Sequence, residues 1–588
     1  MRKVIFCLTL CVVYGSLFGQ RHDYNWPLGY AAGGNEYVLV FTDSFPHFEE
    51  DERDTQLGRT MTAVSDSAGV YQLVGNGFNL SNSNGDFIEN GTGLSPGPYA
   101  DDWASTGSNG PQTMLILPRP RHDSLYDVIH LEVFIPNPNP NDLVYSTGIY
   151  HSVVDMSTNG GNGAVTVKND TLFSETVNSS GLTACRHANG RDWWVLVPDS
   201  ETGDVFNVLI GPEGAEVAFS QSTDSPEVSG LIRATISPQG DYYIRDNLFF
   251  QPTAGARLDV FAFDRCSGLL SDYQSTFLPD TSITLGVAVS PNSQYLYKAR
   301  NQELLQFDLQ AADLEQSKVV IDTNNEISPI PQFPRFFGNL QNAPDGKIYA
   351  GSGYGWGYLH TIDYPDRPGT ESHPVQLAME LPPAFPGSFP SATRTIPNFP
   401  NFRLGPIDGS PCDTLDIDNL PLADFRADTT ETLEVIFTNT SSYEPTDFVW
   451  TFGDGNGSTE KDPVHPYALP GYYEVCLTAS NSNGSDTKCK LVRVSEFTST
   501  TSVPETAEVP LIIYPNPTRG RSIVEWPAGQ GQSVEVFNFY GRSVLRRKPS
   551  VGAAGTQIDL SDFAAGTYVV VLRDGFGRVV GRARVVLL

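Results

Sequence analysis

Basic charge, long apolar runs and helical periodicity are scarce in this chain of 588 residues. Lysine and arginine total 37 against 68 aspartate and glutamate, a formal net charge of −31, which argues against nucleic acid as a partner because that partner requires basic patches. Beyond the N-terminal segment, no apolar run reaches the roughly 18 residues of a membrane-spanning helix, so we expect no transmembrane segment. Long stretches with a 3.6-residue apolar period are missing, whereas 54 glycines and 43 prolines punctuate the chain. The composition predicts an all-β protein.

Two recognisable catalytic motifs are missing too. The chain has no His-Glu-x-x-His helix and no phosphate-cradling Gly-Lys-Ser or Gly-Lys-Thr loop. We therefore predict no catalytic residue and no metal ligand, and the sequence leans against an enzyme without deciding the question.

One cluster of polar and aromatic residues remains as a candidate for ligand binding. Its polar groups stand beside two indole rings that could stack on a sugar, but in a propeller such residues also form structural hydrogen-bond networks. The cluster consists of His187, Arg191, Asp192, Trp193 and Trp194.

An acidic run at residues 49–52 could gather a cation such as calcium. A solvated loop is the alternative interpretation of the same run. The sequence predicts no cofactor and leaves calcium as an open alternative.

The N-terminus has the pattern of a secretory signal. Arg2 and Lys3 precede an apolar run over residues 4–18, and Gly19 and Gln20 follow before the chain becomes polar. We predict a signal peptide over residues 1–20 and export through the periplasm.

Between residues 30 and 408, a tight turn that leads into a tyrosine-rich strand recurs. The turns contain Pro238, Pro291 and Pro344, which are 53 residues apart each time, and residues 187–194 repeat the same plan about 50 residues earlier. Periods near 50 residues in an all-β chain are typical of β-propellers with four-stranded blades. Because the region holds about seven such periods, we predict a seven-bladed propeller.

Several short sequence stretches in this region are similar to those of a known family. They lie at residues 69–77, 150–156, 186–194 and 396–399. They resemble the N-terminal propeller of gliding- and secretion-associated surface proteins of Bacteroidetes, a resemblance that implies a fold and no particular activity.

A second module follows the propeller, and its motif combines alternating core aromatics with a tight glycine turn. The motif residues are Trp450, Phe452, Gly453, Asp454 and Gly455. Together with residues 463–467 and 471–475 they resemble a PKD domain, an immunoglobulin-like sandwich. The resemblance implies a spacer or a carbohydrate- or protein-binding module; we expect Asp454 to serve the turn, with cation contact as the alternative.

Five cysteines remain after the predicted signal peptide, and an odd number leaves at least one thiol unpaired or intermolecular. They are Cys185, Cys266, Cys412, Cys476 and Cys489. A hairpin with its loop at residues 481–484 places Cys476 opposite Cys489 and predicts a disulfide, whereas a two-residue turn at 483–484 would offset the pair.

The C-terminal segment has short β-rich runs, and its net charge is positive whereas that of the whole chain is negative. Residues 505–588 hold ten lysines and arginines against seven acids. Its motif residues are Tyr514, Pro515, Asn516, Pro517, Gly520, Gly541, Gly566 and Tyr568. Together with the runs at 536–542 and 558–568 they resemble the type A sorting domain of the type IX secretion system. The resemblance implies the type IX machinery as a partner and a location that is secreted or on the outer-membrane surface.

These observations predict an ordered set of segments. They are a signal peptide (1–20), a β-propeller-like domain (21–410), a linker (411–420), a PKD domain (421–495), a second linker (496–508) and a small C-terminal β-sandwich for sorting (509–588). We predict a binding or adhesion protein, with the propeller as platform for an extracellular glycan or protein and the PKD domain as spacer or accessory module. The alternative is a secreted polysaccharide hydrolase or lyase with its site in the propeller funnel.

Overall fold

The structure is a computed structural model, and the chain forms two compact units, Met1–Ser495 and Glu496–Leu588. Strands dominate both units, which confirms the all-β prediction. The predicted signal peptide, the second linker and Gly541 lie outside the described residues. No helix within the described residues is long and apolar enough to cross a membrane. The described residues are 21–28, 36–42, 46–133, 145–226, 230–249, 255–279, 286–324, 335–352, 357–381, 396–430, 432–494, 511–527, 533–538, 543–549, 554–561, 563–564, 566–573 and 579–588.

Seven antiparallel sheets follow one another in chain order through the described part of the first domain, which confirms the seven-bladed propeller. Sheets 1 and 2 have three strands each: β1 (Asn25–Leu28), β2 (Glu36–Val40) and β3 (His47–Asp51), then β4 (Thr62–Ser65), β5 (Tyr71–Gly75) and β6 (Leu80–Asn82). The short helix α1 (Pro98–Trp103) leads into sheet 3.

Sheet 3 is the least regular blade, because two short strands that pair with each other are added to its sequence, one within the blade and one after it. The strands are β7 (Met114–Pro118), β8 (Leu125–Leu131), β9 (Tyr145–Ser146), β10 (Ile149–Asp155), β11 (Ala164–Phe173) and β12 (Val177–Asn178). The order in the sheet is β11-β10-β8-β7, and β9 pairs with β12.

Sheets 4 to 7 are four-stranded, and each keeps its strands in chain order. Sheet 4 has β13 (Thr183–Arg186), β14 (Trp193–Pro198), β15 (Val205–Gly211) and β16 (Gly214–Gln221); sheet 5 has β17 (Leu231–Ile236), β18 (Tyr242–Phe249), β19 (Gly255–Phe263) and β20 (Leu270–Pro279). Sheet 6 has β21 (Val287–Val289), β22 (Tyr295–Arg300), β23 (Glu303–Asp308) and β24 (Val319–Thr323); sheet 7 has β25 (Phe337–Asn342), β26 (Ile348–Ser352), β27 (Tyr358–Ile362) and β28 (Pro374–Glu380).

The repeated turn of the sequence joins the first and second strands of sheets 5, 6 and 7. In sheet 5, the Ser237 N–H donates to the Tyr242 carbonyl at 2.9 Å and the Gly240 N–H donates to the Ser237 carbonyl at 2.8 Å. Ser290 and Ser293 repeat this arrangement in sheet 6, where the Ser293 N–H donates to the Ser290 carbonyl. The 53-residue period of the sequence is therefore the period of the blades.

An extended segment, residues 396–404, fills the axis on which the sheets converge. Asn398 donates from its backbone to the Met61 carbonyl and from Nδ2 to the Leu182 carbonyl, which precede sheets 2 and 4. Asn401 Nδ2 donates to the Pro238 carbonyl, which follows the first strand of sheet 5, at 2.6 Å. Only a segment on the axis can reach the inner ends of several blades at once.

The same segment contacts β1 and the residues just before it through side chains. The Phe399 ring packs on Trp26 and the Phe402 ring on His22. An ion pair joins Arg403 to Asp23 across 380 positions of sequence. The first and last parts of the propeller are therefore held together by side-chain packing and a partly buried ion pair.

A two-sheet sandwich completes the first unit, as the fold prediction required. Its sheets are β29-β30-β33 and β32-β31-β34-β35. The strands are β29 (Phe425–Thr429), β30 (Glu434–Asn439), β31 (Asp447–Thr451), β32 (Gly457–Ser458), β33 (Val464–Pro466), β34 (Gly471–Asn481) and β35 (Gly484–Val494). Trp450 and Phe452 fill the space between the sheets, at 1% and 2% exposure.

The second unit is a smaller sandwich of the sheets β36-β37-β40 and β39-β38-β41-β42. Its strands are β36 (Ile512–Tyr514), β37 (Arg521–Glu525), β38 (Ser533–Phe537), β39 (Ser543–Arg547), β40 (Gly555–Asp559), β41 (Gly566–Arg573) and β42 (Val579–Leu587). Val524, Ile558 and Val570 are fully buried between the two sheets.

Candidate functional site

The polar and aromatic cluster of the sequence forms the turn between β13 and β14. Arg191 pairs with Asp192 in a bidentate contact, with Nε 2.7 Å from Oδ1 and Nη2 2.9 Å from Oδ2. Asn189 Nδ2 donates to the same carboxylate at 2.7 Å, and the His187 N–H donates to the Asp192 carbonyl. Burial lowers the pKa of His187. The polar members of the cluster therefore hold the turn together.

The two tryptophans of the cluster lie in the core. Trp193 is 0% and Trp194 is 5% exposed, so neither indole offers an open face to a sugar. Trp193 Nε1 donates to the Pro118 carbonyl, and the Arg186 guanidinium covers its ring at 3.7 Å. The turn instead supports the chain that leaves the propeller, because the Ile407 N–H donates to the Ala188 carbonyl at 2.8 Å.

A cleft of about 910 Å³ lies between the propeller and the sandwich of residues 425–494. One wall consists of the turns after the first strands of sheets 5 and 7, the loop at residues 364–367 and the end of the axial segment. The other wall is formed by residues 437–446 with Lys461 and Asp462. The cleft lies at the end of the axial segment, and residues 399–401, 403 and 404 of that segment contribute to its propeller wall.

Charges of both signs line the cleft. Arg367 on the propeller wall and Lys461 on the sandwich wall are exposed, and Asp462 lies beside Lys461. Burial raises the pKa of Asp366, against the attraction of Lys461. Burial also raises the pKa of Glu444, which Arg265 partly opposes. This mixture suits a polar ligand such as a sugar or a peptide better than a strongly charged polymer.

A strained backbone corner stands on the sandwich wall of the cleft. Tyr443 and Glu444 have φ values of 65° and 53°, a left-handed conformation in which bulky side chains are rare. Each such residue costs on the order of 1–3 kcal/mol, and strain of this kind clusters at functional sites.

Several contacts fix the two walls relative to each other. Arg426 of the sandwich donates from Nη1 to the Asp345 carbonyl at 2.9 Å and from Nη2 to the Asp363 carbonyl at 2.6 Å. A disulfide joins Cys266 in the β19–β20 loop to Cys412, which lies in the segment predicted as a linker. Cys185 is a free, buried thiol. The cleft therefore has walls in a fixed geometry.

The predicted cysteine pair of the sandwich stands directly opposite across β34 and β35. Asn481 pairs with Gly484 at the end of the hairpin, and this register pairs Cys476 with Cys489. The two sulfur atoms are bonded.

The glycine turn of the sandwich places Asp454 beside a histidine. His465 Nε2 lies 2.8 Å from Asp454 Oδ2, and Asn456 donates to the carboxylate from its backbone and its side chain at 3.0 Å. The His465 ring stacks on Phe452 at 4.0 Å, and Gly453 has a φ of 78°. Asp454 thus has hydrogen-bond partners of its own within the turn.

We expect Asp454→Asn to lower the free energy of unfolding by about 1 kcal/mol at pH 7, the usual contribution of such hydrogen bonds. Partial burial opposes ionisation, but the bonds from His465 and Asn456 outweigh it and lower the pKa of Asp454. A lowered pKa gives stability that is present above pH about 4 and lost as the pH falls further. Urea unfolding at pH 7 and pH 3 should show the wild-type advantage shrinking in acid; an Asp447→Asn control that loses as much would contradict it.

The acidic run at residues 49–52 belongs largely to strand β3, so the solvated loop of the sequence analysis is corrected to an edge strand. Asp51 pairs with Arg53 at 3.0 Å. Across the described residues, no three His, Cys, Asp or Glu side chains come together as ligands for a metal ion.

The sorting motif packs against the last strand of the second unit. Asn516 Nδ2 donates to the Arg584 carbonyl at 2.7 Å, and the Val586 N–H donates to Asn516 Oδ1 at 2.9 Å. Gly520 has a φ of 139°, and a Cβ there would lie 2.4 Å from Ser561 Oγ. Tyr568 donates to the Ala564 carbonyl. The hydrogen bonds of Asn516 therefore depend on β42 being in place.

Sequence reasoning missed the cleft residues. Arg367 lies in a proline-rich loop, Tyr-Pro-Asp-Arg-Pro, and Tyr443 in Ser-Tyr-Glu-Pro. Aromatic and charged residues beside turn-forming prolines are the sequence feature that could have indicated a binding loop at these two places.

Two family profiles match parts of the chain. The PKD domain matches residues 419–495, and the secretion system C-terminal sorting domain matches residues 512–585. The chain therefore carries a PKD domain and is a cargo of type IX secretion that reaches the cell surface or the extracellular space. The sorting domain implies recognition by the type IX machinery. Among curated proteins, none matches.

Solved structures give partial likenesses. The PKD1 domain of the Vibrio cholerae metalloprotease PrtV is 35% identical, covers 13% of this chain and 98% of its own, and has a TM-score of 0.13. A putative 6-phosphogluconolactonase from Bacteroides uniformis is 13% identical over 58% of this chain and 92% of its own, with a TM-score of 0.33. A protein from Lactobacillus plantarum is 11% identical over 64% and 98%, with a TM-score of 0.38.

Proposed function

We propose that this exported protein is a binding protein and that its ligand site is the cleft between the propeller and the PKD domain. The observation that carries the proposal is the cleft itself, about 910 Å³ between two domains. A disulfide holds the segment that leads into the second of these domains against the propeller. Ligand sites of small molecules and short segments commonly occupy such volumes and lie at domain interfaces. In this proposal the PKD domain is an accessory binding module, because it supplies one wall of the site.

The charges and the strain of the cleft support the same proposal. Arg367 and Lys461 face the cleft from opposite walls and are exposed, so a polar ligand can reach both at once. The left-handed Tyr443 and Glu444 add a strained backbone corner to the sandwich wall of the cleft. An extracellular glycan or a segment of an extracellular protein has the hydrogen-bonding groups that these side chains would engage.

The test is retention of the full chain on immobilised extracellular polysaccharides and proteins. We expect retention of the wild type and at least a tenfold loss for the double variant Arg367→Ala, Lys461→Ala, because both walls lose their charged contact. The matched control is Lys318→Ala, a partly exposed lysine in the loop before β24 that pairs with Glu315. Equal retention of the double variant and the control would place the site elsewhere.

The same experiment separates binding from catalysis. Reducing ends released from a retained polysaccharide would favour the hydrolase or lyase alternative. Binding without release is the outcome expected here.

A further inference from the structure

The outward face of the sheet β36-β37-β40 in the second unit carries apolar side chains at positions where polar ones are usual. Along β37, Val524 points into the core and is fully buried, whereas Ile523 points outward and is 41% exposed. Ile512 and Tyr514 of β36 lie on the same outward face and are 60% and 43% exposed. Antiparallel sheets with one face in water usually place polar residues on that face. These three side chains therefore form an exposed apolar patch, a feature that marks interaction sites.

A hollow of about 750 Å³ adjoins this patch. Ile512, Ile523 and Glu525 line it from β36 and β37, and Gly555 and Gln557 line it from β40. Gly555 stands opposite Glu525 in the strand pairing and has no side chain, so the third strand leaves room on the face at this point. The volume is that of common ligand pockets, and the hollow therefore has room for large side chains of a partner protein.

Polar side chains border the patch. Arg521 Nε lies 2.8 Å from Asp559 Oδ2, and this ion pair occupies the end of the same face. The Tyr514 hydroxyl donates to Glu525 Oε1 at 2.5 Å, a bond that holds the ring on the face while leaving it exposed. An apolar centre with a polar rim is the usual composition of a protein–protein interface, and tyrosine is enriched among the residues that contribute most to binding.

We propose that this face of the sorting domain is the surface that the type IX machinery recognises, and that the hollow receives an apolar side chain of the machinery. The match to the sorting-domain family implies the partner but assigns it no surface. The outward face of the other sheet is charged, because Arg582 and Arg584 are exposed there beside Val569. Burial of apolar surface supplies most of the driving force for protein association, which favours the face of β36-β37-β40. This face shares no residue with the cleft of the first unit.

The test follows export of the full chain in a bacterium that has the type IX system. Ile512→Thr with Ile523→Thr replaces two apolar side chains by polar, β-branched ones that keep the preference for a strand. We expect the exported fraction to fall about tenfold, as for the loss of a major interface contact, and the chain to remain in the periplasm. Protease added to intact cells, with the medium assayed separately, measures the exported fraction. The matched control Val569→Thr makes the same kind of change on the other sheet, at a side chain that is 37% exposed, and should be exported like the wild type.

Two further variants separate recognition from a folding defect. Ile512→Leu with Ile523→Leu keeps the face apolar and should be exported normally. Gln557→Trp fills the hollow from an exposed position of β40 without removing a packed side chain, so it should reduce export about as strongly as the threonine pair. Thermal unfolding of each purified full chain shows whether the second unit is intact, and if the threonine pair unfolds more easily than the wild type, Gln557→Trp decides. Normal export of Gln557→Trp or of a stably folded threonine pair, or an equal loss in Val569→Thr, would overturn the proposal.

Discussion

Phe402→Ala is expected to lower the free energy of unfolding of the first unit by about 3–5 kcal/mol, the usual cost of removing a buried phenylalanine. The Phe402 side chain is 0% exposed on the propeller axis. Its ring centroid lies 5.1 Å from that of His22 and 5.6 Å from that of Trp193. The cavity would open where residues near the first sheet, the fourth sheet and the axial segment meet. Urea unfolding followed by tryptophan fluorescence measures the effect.

Phe277→Ala is the matched control, because this phenylalanine lies on the outer strand β20 and is 43% exposed. We expect it to cost less than about 1 kcal/mol. If both variants lost the same stability, the axial segment would not belong to the cooperative core and the ring would close by other contacts.

The filled axis bears directly on function. A propeller with an open funnel can gather acids and a histidine around a substrate, which was the catalytic alternative of the sequence analysis. Here Asn398, Phe399 and Phe402 occupy that space. The ligand site that we propose therefore lies at the mouth of the axis, where the PKD domain can contribute to it.

The regular half of the propeller was predictable because its turns repeat. Each turn needs a serine or alanine cap and a residue that tolerates a left-handed backbone, such as Gly240, Ser293 and Gly346, and these constraints fix the spacing. Sheets 1 and 2 have only three strands, and sheet 3 carries the inserted pair β9 and β12. No local turn rule specifies those departures.

The two disulfides differ in whether the sequence could predict them, again because one depends on a local turn and the other on the packing of distant segments. The hairpin register determines that Cys476 faces Cys489, so counting from the turn was sufficient. Cys266 and Cys412 are 146 residues apart and meet only because the chain leaving the axis crosses the β19–β20 loop. Similarly, a tryptophan beside charged residues fits a sugar site or a core position, and only the packing of blades buries Trp193.

The cleft could not be predicted because its walls come from distant segments. Asp241, Arg367 and Lys461 belong to sheet 5, sheet 7 and the PKD domain. They approach one another only after the propeller closes and the PKD domain docks through Arg426.

Removal of the long-range disulfide is expected to have the largest effect on the first unit. Cys266→Ser with Cys412→Ser opens a loop of 146 residues, and chain entropy alone predicts a loss of about 5 kcal/mol. The loss falls on the segment between the propeller and the PKD domain, so limited proteolysis should cut residues 408–420 faster. Ligand retention in the cleft should fall as well, because the segment that leads into the PKD wall loses its covalent anchor on the propeller. Urea midpoints and the mapped cleavage sites measure the effect.

The matched control is Cys476→Ser with Cys489→Ser, which opens a loop of 13 residues inside the PKD domain. Loop entropy predicts a loss of about 3 kcal/mol there, and residues 408–420 should remain as resistant to protease as in the wild type. The pattern of cleavage therefore matters more than the size of either loss. If removing Cys266 and Cys412 left the protease resistance of 408–420 and the ligand retention unchanged, Arg426 and its carbonyl partners would hold the PKD domain alone. The disulfide would then stabilise the chain without shaping the cleft.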